Sequence, residues 1–297
     1  MRKFLVILPV FLAAAALVNA DEAVTLRSRW ETGKVYTQEI VTEINIVAPE
    51  LAKAGGQKTE MTQTMSITVK QEPGTENKLA AVKISAMKAK MSVMGQEMNY
   101  DSTDAAKSSP MLQQSFGALV GKEFTIVYDK NDLITGTRDL DKLMPTPLGK
   151  GKSMTGNQMA DAFRKSQEMG LPKDPVVPGG TWTYENKIEM PPAGAILIKG
   201  SGKYDSNITL DGRQHAKILV NGKFTTPDPD PAKPTASALP VKFGEGSVTE
   251  GEVDFDLERR LITKCEMNSL IKMVVAGKEM PMTQKMTSRL ISVEASK

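Results

Sequence analysis

The chain has 297 residues, with 38 basic and 35 acidic side chains and a hydrophobic fraction of 40%. Such a near balance of charge leaves no electrostatic footprint for nucleic acid or anionic membranes, so we expect no nucleic-acid binding. The single cysteine allows no intramolecular disulfide, and the length suffices for one large β domain or two smaller ones.

The N-terminus has the pattern of a secretory signal peptide. A short basic region precedes an apolar run at 4–18, and small residues lead up to Ala20. We therefore expect residues 1–20 to be removed by cleavage between Ala20 and Asp21. The apolar run is shorter than the roughly 20 residues of a membrane-spanning helix, and no later stretch reaches that length. The protein is predicted to be exported to the periplasm or exterior of a bacterial cell, with no integral membrane span after cleavage.

Alternating apolar and polar residues predict long β-strands through most of the chain. The clearest cases in the first half are 33–47, 61–69 and 79–98. Within the last of these, the parity of the apolar positions changes near residue 86, which predicts a β-bulge. From residue 253 onward, apolar residues at odd positions alternate with mostly charged ones, which predicts another long, half-buried strand.

Two short amphipathic helices are predicted between the strands. The first begins with Ser109 as its cap and Pro110 in its first turn, and its apolar stripe stops at Gly121. The second covers about 157–169 and is followed by Gly170. Since a half-buried sheet must cover one face, we predict an α+β, mostly β fold. It consists of one or two curved antiparallel sheets built of long hairpins, with the two helices against the apolar face.

A proline- and glycine-rich linker at 172–180 divides the chain into two β-rich parts. We predict an N-terminal β-meander half with both helices at 21–172 and a C-terminal β-rich half at 173–297. Either the two halves are separate domains, or they form one continuous domain.

One methionine-rich phrase occurs twice, at 90–98 and at 272–280. Two-residue type II′ turns at Gly95-Gln96 and Gly277-Lys278 would fold each copy into a hairpin. The strand pleat then collects apolar side chains on the buried face of the two hairpins. This set comprises Met91, Val93, Met98, Tyr100, Met273, Val275, Met280 and Met282. Methionine lines adaptable apolar pockets, so we predict that these residues line a ligand site.

Thioether sulfur also binds soft ions, which makes Cu(I) or Ag(I) binding an alternative. Met91, Met94 and Met98 are one candidate set. The hairpin register argues against it, because it places Met94 on the opposite face from the other two. We predict no metal site and no cofactor.

The chain shows no pattern typical of an enzyme. His215 is its only histidine and has no nucleophile at motif spacing, so we expect it at the surface or at a hairpin end. Cys265 falls on the apolar side of a predicted strand and should behave as a small hydrophobe. We predict no catalytic residues and a non-enzymatic protein.

The chain resembles an uncharacterised family of exported bacterial proteins of about 300 residues, classed as a domain of unknown function. The resemblance rests on the leader and on several short features of the mature chain. These are Gly33-x-x-Tyr36, the strands at 61–69 and 79–98, Tyr100-Asp-Ser102, the segment from Pro110 to Phe124, and Gly180-x-Trp182. More loosely, the Met-rich antiparallel strands are similar to those of the periplasmic lipoprotein-carrier superfamily. That resemblance implies a curved sheet that wraps helices and encloses an apolar cavity.

Three functions follow as hypotheses. The first is an exported, non-enzymatic protein that holds a lipid or another apolar small molecule on the Met-rich sheet face. The alternative is a structural or protein-interaction module of the cell envelope, whose partner is an envelope protein. The third is the methionine-based binding of Cu(I) or Ag(I).

Overall fold

A computed structural model describes residues 22–47, 56–140, 170–190, 194–227, 242–275 and 277–296. These residues form one antiparallel sheet of 13 strands. The first six are β1 (Lys34–Ile46), β2 (Gln57–Gln71), β3 (Lys78–Val93), β4 (Gln96–Asp101), β5 (Glu123–Tyr128) and β6 (Ile134–Arg138). The other seven are β7 (Thr181–Met190), β8 (Gly194–Leu210), β9 (Arg213–Thr225), β10 (Lys242–Phe243), β11 (Val248–Asp256), β12 (Leu261–Val275) and β13 (Lys278–Ala295). The prediction of a mostly β chain with long antiparallel strands is confirmed.

The strand order places the first and last strands of the chain side by side. It runs β6-β5-β3-β2-β1-β13-β12-β11-β9-β8-β7, with β4 paired to β3 and β10 paired to β12. β1 and β13 therefore join the strands of the two halves within one sheet, and β6 and β7 stand at its opposite edges. The division into halves at residue 172 stays a prediction. The β1–β13 ladder connects a strand of the first half with a strand of the second.

One α-helix, α1 (Pro110–Phe116), occurs in the described part of the chain, after a short 3-10 helix at Ala105–Lys107. It buries Leu112 but is shorter than predicted, ending before Gly117. The hydroxyl of Ser109 does not cap it, because that group donates to the Asn99 carbonyl oxygen at 3.1 Å instead. The second predicted helix, at 157–169, lies outside the described residues. No described helix is long and apolar enough to cross a bilayer.

The core lies on one face of the sheet, which we call the apolar face. A bulge in β3 keeps its side chains on this face: Thr64 pairs with Ala86, but Met65 pairs with Ile84, which leaves Ser85 without a partner in the β2 ladder. This confirms the predicted bulge near residue 86. Three buried clusters follow along the face. They are centred on Trp30 with Tyr36, on Tyr204 with Phe255, and on Met87 with Tyr100 and Leu112.

The register predicted for the two methionine hairpins is wrong by one residue at each turn. Met91, not Val93, faces Met98 in the first hairpin, and Met273, not Val275, faces Met280 in the second. The first turn uses Met94 and Gly95, whose φ angles are 53° and 78°. Positive φ at both central positions is the type I′ arrangement, which matches the twist of the flanking strands better than an ordinary turn.

Candidate functional site

A cavity of about 1020 Å³ lies between the two edges of the sheet. At one edge it is bounded by Tyr128, Leu133 and Ile134, and at the other by residues 181–186 of β7 with Gly200 of β8. The segments 26–30 and 171–176 complete its wall. A backbone bridge between Val24 and Val176 holds these two segments together.

Aromatic side chains form much of this wall. Trp30 is 8% exposed, and its ring meets the Tyr36 ring edge-on with centroids 4.9 Å apart, while the Tyr128 ring is 6.2 Å away. The indole Nε1 of Trp182 donates to the Gly170 carbonyl oxygen at 3.0 Å. Both tryptophans of the chain therefore line the same cavity. A hydrogen bond fixes the orientation of Trp182, and ring contacts fix that of Trp30.

Glycines in β8 make room for the aromatic rings of β7. Trp182 lies directly across the ladder from Gly202, and Tyr184 lies across from Gly200. A Cβ on Gly202 would lie 2.3 Å from the Trp182 ring, and one on Gly200 would lie 2.6 Å from the Tyr184 ring. The Tyr184 hydroxyl also donates to the Asn221 carbonyl oxygen at 2.8 Å. The rings are thus held flat against bare backbone.

Two phenols at the cavity are neutral, and two of its carboxylates are paired with lysines. Burial raises the pKa of the Tyr128 and Tyr184 phenols, so both stay uncharged at neutral pH. The Asp132 carboxylate accepts from Lys78 at 2.6 Å and from the Trp30 backbone N–H at 3.2 Å. Lys199 and Glu185 form an exposed ion pair at 3.0 Å. The wall is therefore apolar where the rings lie and charged at its rim.

The eight predicted ligand-lining residues do not line this cavity. Strand pairing places seven of them on the apolar face at the opposite end of the sheet, while the side chain of Val275 lies outside the described part. Met273 lies 11 residues along β12 from Ile262 at the cavity, about 35 Å at the rise of a β-strand. Tyr100 lines a smaller, more polar pocket of about 490 Å³ instead. A ligand-lining role for these residues stays a prediction.

The methionines of the predicted ligand-lining set lie in two groups, with β1 and β2 between β3 and β13. At the spacing of neighbouring strands, the groups are about 14 Å apart. Met91 and Met98 pack with Tyr100 in the cluster that α1 covers. Met94 is 58% exposed in the turn, away from that cluster. The three sulfurs of the soft-metal alternative therefore do not converge on one packed cluster, and that alternative also stays a prediction.

The sequence predicts His215 at the surface or at a hairpin end. It does lie near a hairpin end, three residues after Gly212 of the Asp211-Gly212 turn, but a surface position is wrong because it is only 4% exposed. Its Nε2 lies 3.9 Å from the carboxylate of the fully buried Asp256, which also faces Arg259 at 3.1 Å. His215 is buried because β9 pairs it with the buried Asp256 on β11, and motif spacing does not reveal such a pairing.

Cys265 lies on the apolar face, as expected, and packs against the cluster around Tyr204 and Phe255. Burial raises its pKa to about 11, with smaller contributions from the carboxylates of Glu266 and Asp254. The thiol is therefore protonated at neutral pH, which is typical of an unreactive core cysteine.

The strand and turn patterns of the sequence gave no sign that Trp30 and Trp182 belong to one site. A usable signal was present, since only 5% of residues are aromatic and two tryptophans stand among them. Scarce aromatic residues near glycines and turns are candidates for a binding wall.

Residues 75–259 match DUF6263, described as a family of unknown function. The expectation of an uncharacterised family is confirmed. Among curated proteins, none matches this sequence. The looser resemblance to the lipoprotein-carrier superfamily stays a prediction.

Three solved structures share a distant similarity with the chain. Lipovitellin, solved for its lipid–protein interactions, aligns with 91% of this chain at 10% identity and a TM-score of 0.49, and the chain spans 26% of its length. A candidate lipoprotein from Parabacteroides distasonis aligns with 92% of this chain and 100% of its own at 8% identity, with a TM-score of 0.31. A candidate exported protein with a YmcC-like fold from Bacteroides fragilis aligns with 92% of this chain and 99% of its own at 10% identity, with a TM-score of 0.25. Because all three TM-scores are below 0.5, the function proposed below rests on the geometry of the cavity.

Proposed function

This chain belongs to DUF6263, a family of unknown function, and we propose that it is an exported, non-enzymatic protein that binds a lipid or another apolar ligand. The observation that carries the proposal is the aromatic cavity between the sheet edges. Export is supported by the signal-like pattern of residues 1–20.

The size and lining of the cavity support an apolar ligand. Its volume of about 1020 Å³ is at the upper end of the range of about 300–1,000 Å³ found for small-molecule sites. Trp30, Tyr128, Trp182 and Ile134 supply apolar surface on opposite walls. Each CH₂ group that leaves water for such a site contributes about 0.8 kcal/mol, so a hydrocarbon chain gains affinity with length.

The polar groups of the same wall support a binding role rather than catalysis. Asp132 and Glu185 are each held by a lysine. In the described lining, no hydroxyl or thiol hydrogen-bonds to a base, so the nucleophile–base geometry of covalent catalysis is missing there. The buried phenols keep their protons.

Quenching of the two cavity tryptophans tests the proposal directly. A brominated fatty alcohol should quench intrinsic fluorescence saturably, because both indoles line the site. Asn186→Phe places a ring in the cavity and should weaken binding by about 10-fold or more. The control Met111→Phe changes a side chain that is 57% exposed on α1, so it should leave the titration unchanged.

Native mass spectrometry of gently purified protein is the second arm, with an apolar adduct as the expected result. Absence of quenching together with a clean apo mass contradicts the proposal. If the protein carries no ligand but captures a stable partner from the cell envelope, the alternative of a protein-interaction module would be favoured instead.

A further inference from the structure

A polar pocket of about 640 Å³ adjoins the aromatic cavity. The two share Arg27 and Asp132 in their walls. A ligand that fills the cavity can therefore extend one end into the polar pocket past these two side chains.

The polar pocket has an excess of positive charge. Five basic and two acidic side chains line it: Arg27, Arg29, Lys78, Lys130 and Arg260, with Glu76 and Asp132. Both carboxylates are taken, since Asp132 pairs with Lys78 at 2.6 Å and Glu76 pairs with Lys130 at 3.3 Å.

The three arginines remain available to a ligand. Within the described chain, no carboxylate lies within 4.0 Å of the guanidinium group of Arg27, Arg29 or Arg260. The backbone brings two of them together, because the Arg29 N–H donates to the Arg260 carbonyl oxygen at 2.7 Å. Arg29 is exposed and the other two are half-buried, so solvent reaches the pocket.

We propose that the ligand is an anionic lipid, with its hydrocarbon chain in the aromatic cavity and its carboxylate or phosphate head group on Arg27, Arg29 and Arg260. This inference rests on the function proposed above. Guanidinium groups bind carboxylate and phosphate oxygens through paired, charge-assisted hydrogen bonds. The Lys78–Asp132 ion pair neutralises the one carboxylate at the entrance that would repel such a head group.

Two probes with the same hydrocarbon chain and different head groups isolate the contribution of the head group to binding. The probes are a brominated fatty acid and the matching brominated fatty alcohol, titrated at low salt against tryptophan fluorescence. The wild-type protein should bind the acid about 10-fold more tightly than the alcohol, because only the acid gains the arginine contacts.

The double variant Arg29→Gln with Arg260→Gln should reduce this acid-to-alcohol ratio from about 10 to near 1. Arg29→Gln alone, at an exposed position, should lower it part of the way and guards against misfolding of the double variant. The matched control Arg213→Gln with Arg289→Gln removes the same charge from residues that do not line either cavity, and it should keep the wild-type ratio.

Inorganic phosphate separates a lipid head group from a free anion. Most of the surface that the fatty acid buries belongs to its hydrocarbon chain. Phosphate alone, at up to about 1 mM, should therefore not displace the acid. Displacement by phosphate would assign the pocket to a free anion and overturn the proposal. Equal binding of acid and alcohol, or a ratio that the arginine variants leave unchanged, would also overturn it while preserving the apolar-ligand function. Failure of both probes to quench, together with a clean apo mass, would remove that function as well.

Discussion

Trp182 stands directly across the β7–β8 ladder from Gly202, and its indole occupies the space where a Cβ on residue 202 would lie. Gly202→Ala would force the ring to move, because the added carbon would be 2.3 Å from the Cε2 and Cζ2 atoms. We expect a loss of about 1–3 kcal/mol in unfolding free energy, as for an overpacked core, with a shift in tryptophan emission. Urea denaturation followed by fluorescence measures both.

Gly136→Ala is the matched control for that change. Gly136 also lies in a strand, but an added Cβ there meets nothing within 4 Å. Its substitution should change stability by no more than about 0.5 kcal/mol. Equal losses for the two variants would show that the contact with Trp182 does not restrict residue 202.

The type I′ turn at Met94-Gly95 makes opposite predictions for its two residues. Gly95→Ala should lower the free energy of unfolding by about 1–2 kcal/mol, because the φ angle of 78° is unfavourable for alanine. No steric clash adds to this loss, since nothing lies near the added carbon. Met94→Asn should stabilise the protein, because asparagine tolerates the positive φ of 53° and Asn-Gly is the preferred I′ pair. Thermal or urea unfolding tests both. A destabilising Met94→Asn would contradict this turn assignment.

Glu72 should contribute to the acid sensitivity of the fold. Hydrogen bonds from Arg138, Asn77 and Thr75 lower its pKa from 4.5 to about 2. Its stabilising contribution is therefore present above about pH 4.5 and is lost as the pH falls towards 2. Urea denaturation across this range should show a weaker pH dependence for Glu72→Gln than for the wild type. Arg138→Gln, which removes the largest cause, should show an intermediate dependence. The same pH dependence of stability in all three proteins would contradict the lowered pKa of Glu72.

The Cys265 thiol should resist alkylation in the folded protein. Its pKa of about 11, against an ordinary 9.0, lowers the thiolate fraction at pH 8 about 100-fold. Labelling by a small thiol reagent should therefore be at least about 100-fold slower in buffer than in denaturant, with Cys265→Ser as the blank. Comparable rates in the two solvents would place the thiol outside the packed cluster.

Strand parity was readable from the sequence because it depends only on neighbouring residues. The β3 bulge could be predicted because the apolar residues Val82 and Met87 have opposite parity, and both are buried in the structure. The turn register could not be predicted in this way, since both registers bury the same methionines. Cross-strand charge favours the observed one: it places Lys88 opposite Asp101, with the two groups 3.2 Å apart.

The candidate site was beyond sequence reasoning for a different reason. Its walls come from Tyr128 and Trp182, which belong to opposite ends of the strand order. Their approach depends on the whole order of strands, and no periodic pattern encodes that order. The buried position of His215 likewise depends on its ladder partner Asp256, 41 residues further along the chain.

The pairing of β1 with β13 also has a consequence for the time course of folding. β1 is among the first strands to leave the ribosome or translocon, yet one of its two neighbours is the C-terminal strand β13. Until residues 278–295 arrive, β1 and β12 each expose a long row of unpaired peptide groups, the kind of edge that invites aggregation. The β1–β13 ladder joins residues more than 230 positions apart, and pairing over such a separation makes folding slow. A holding chaperone would therefore matter most for this chain during the interval before its final strand inserts.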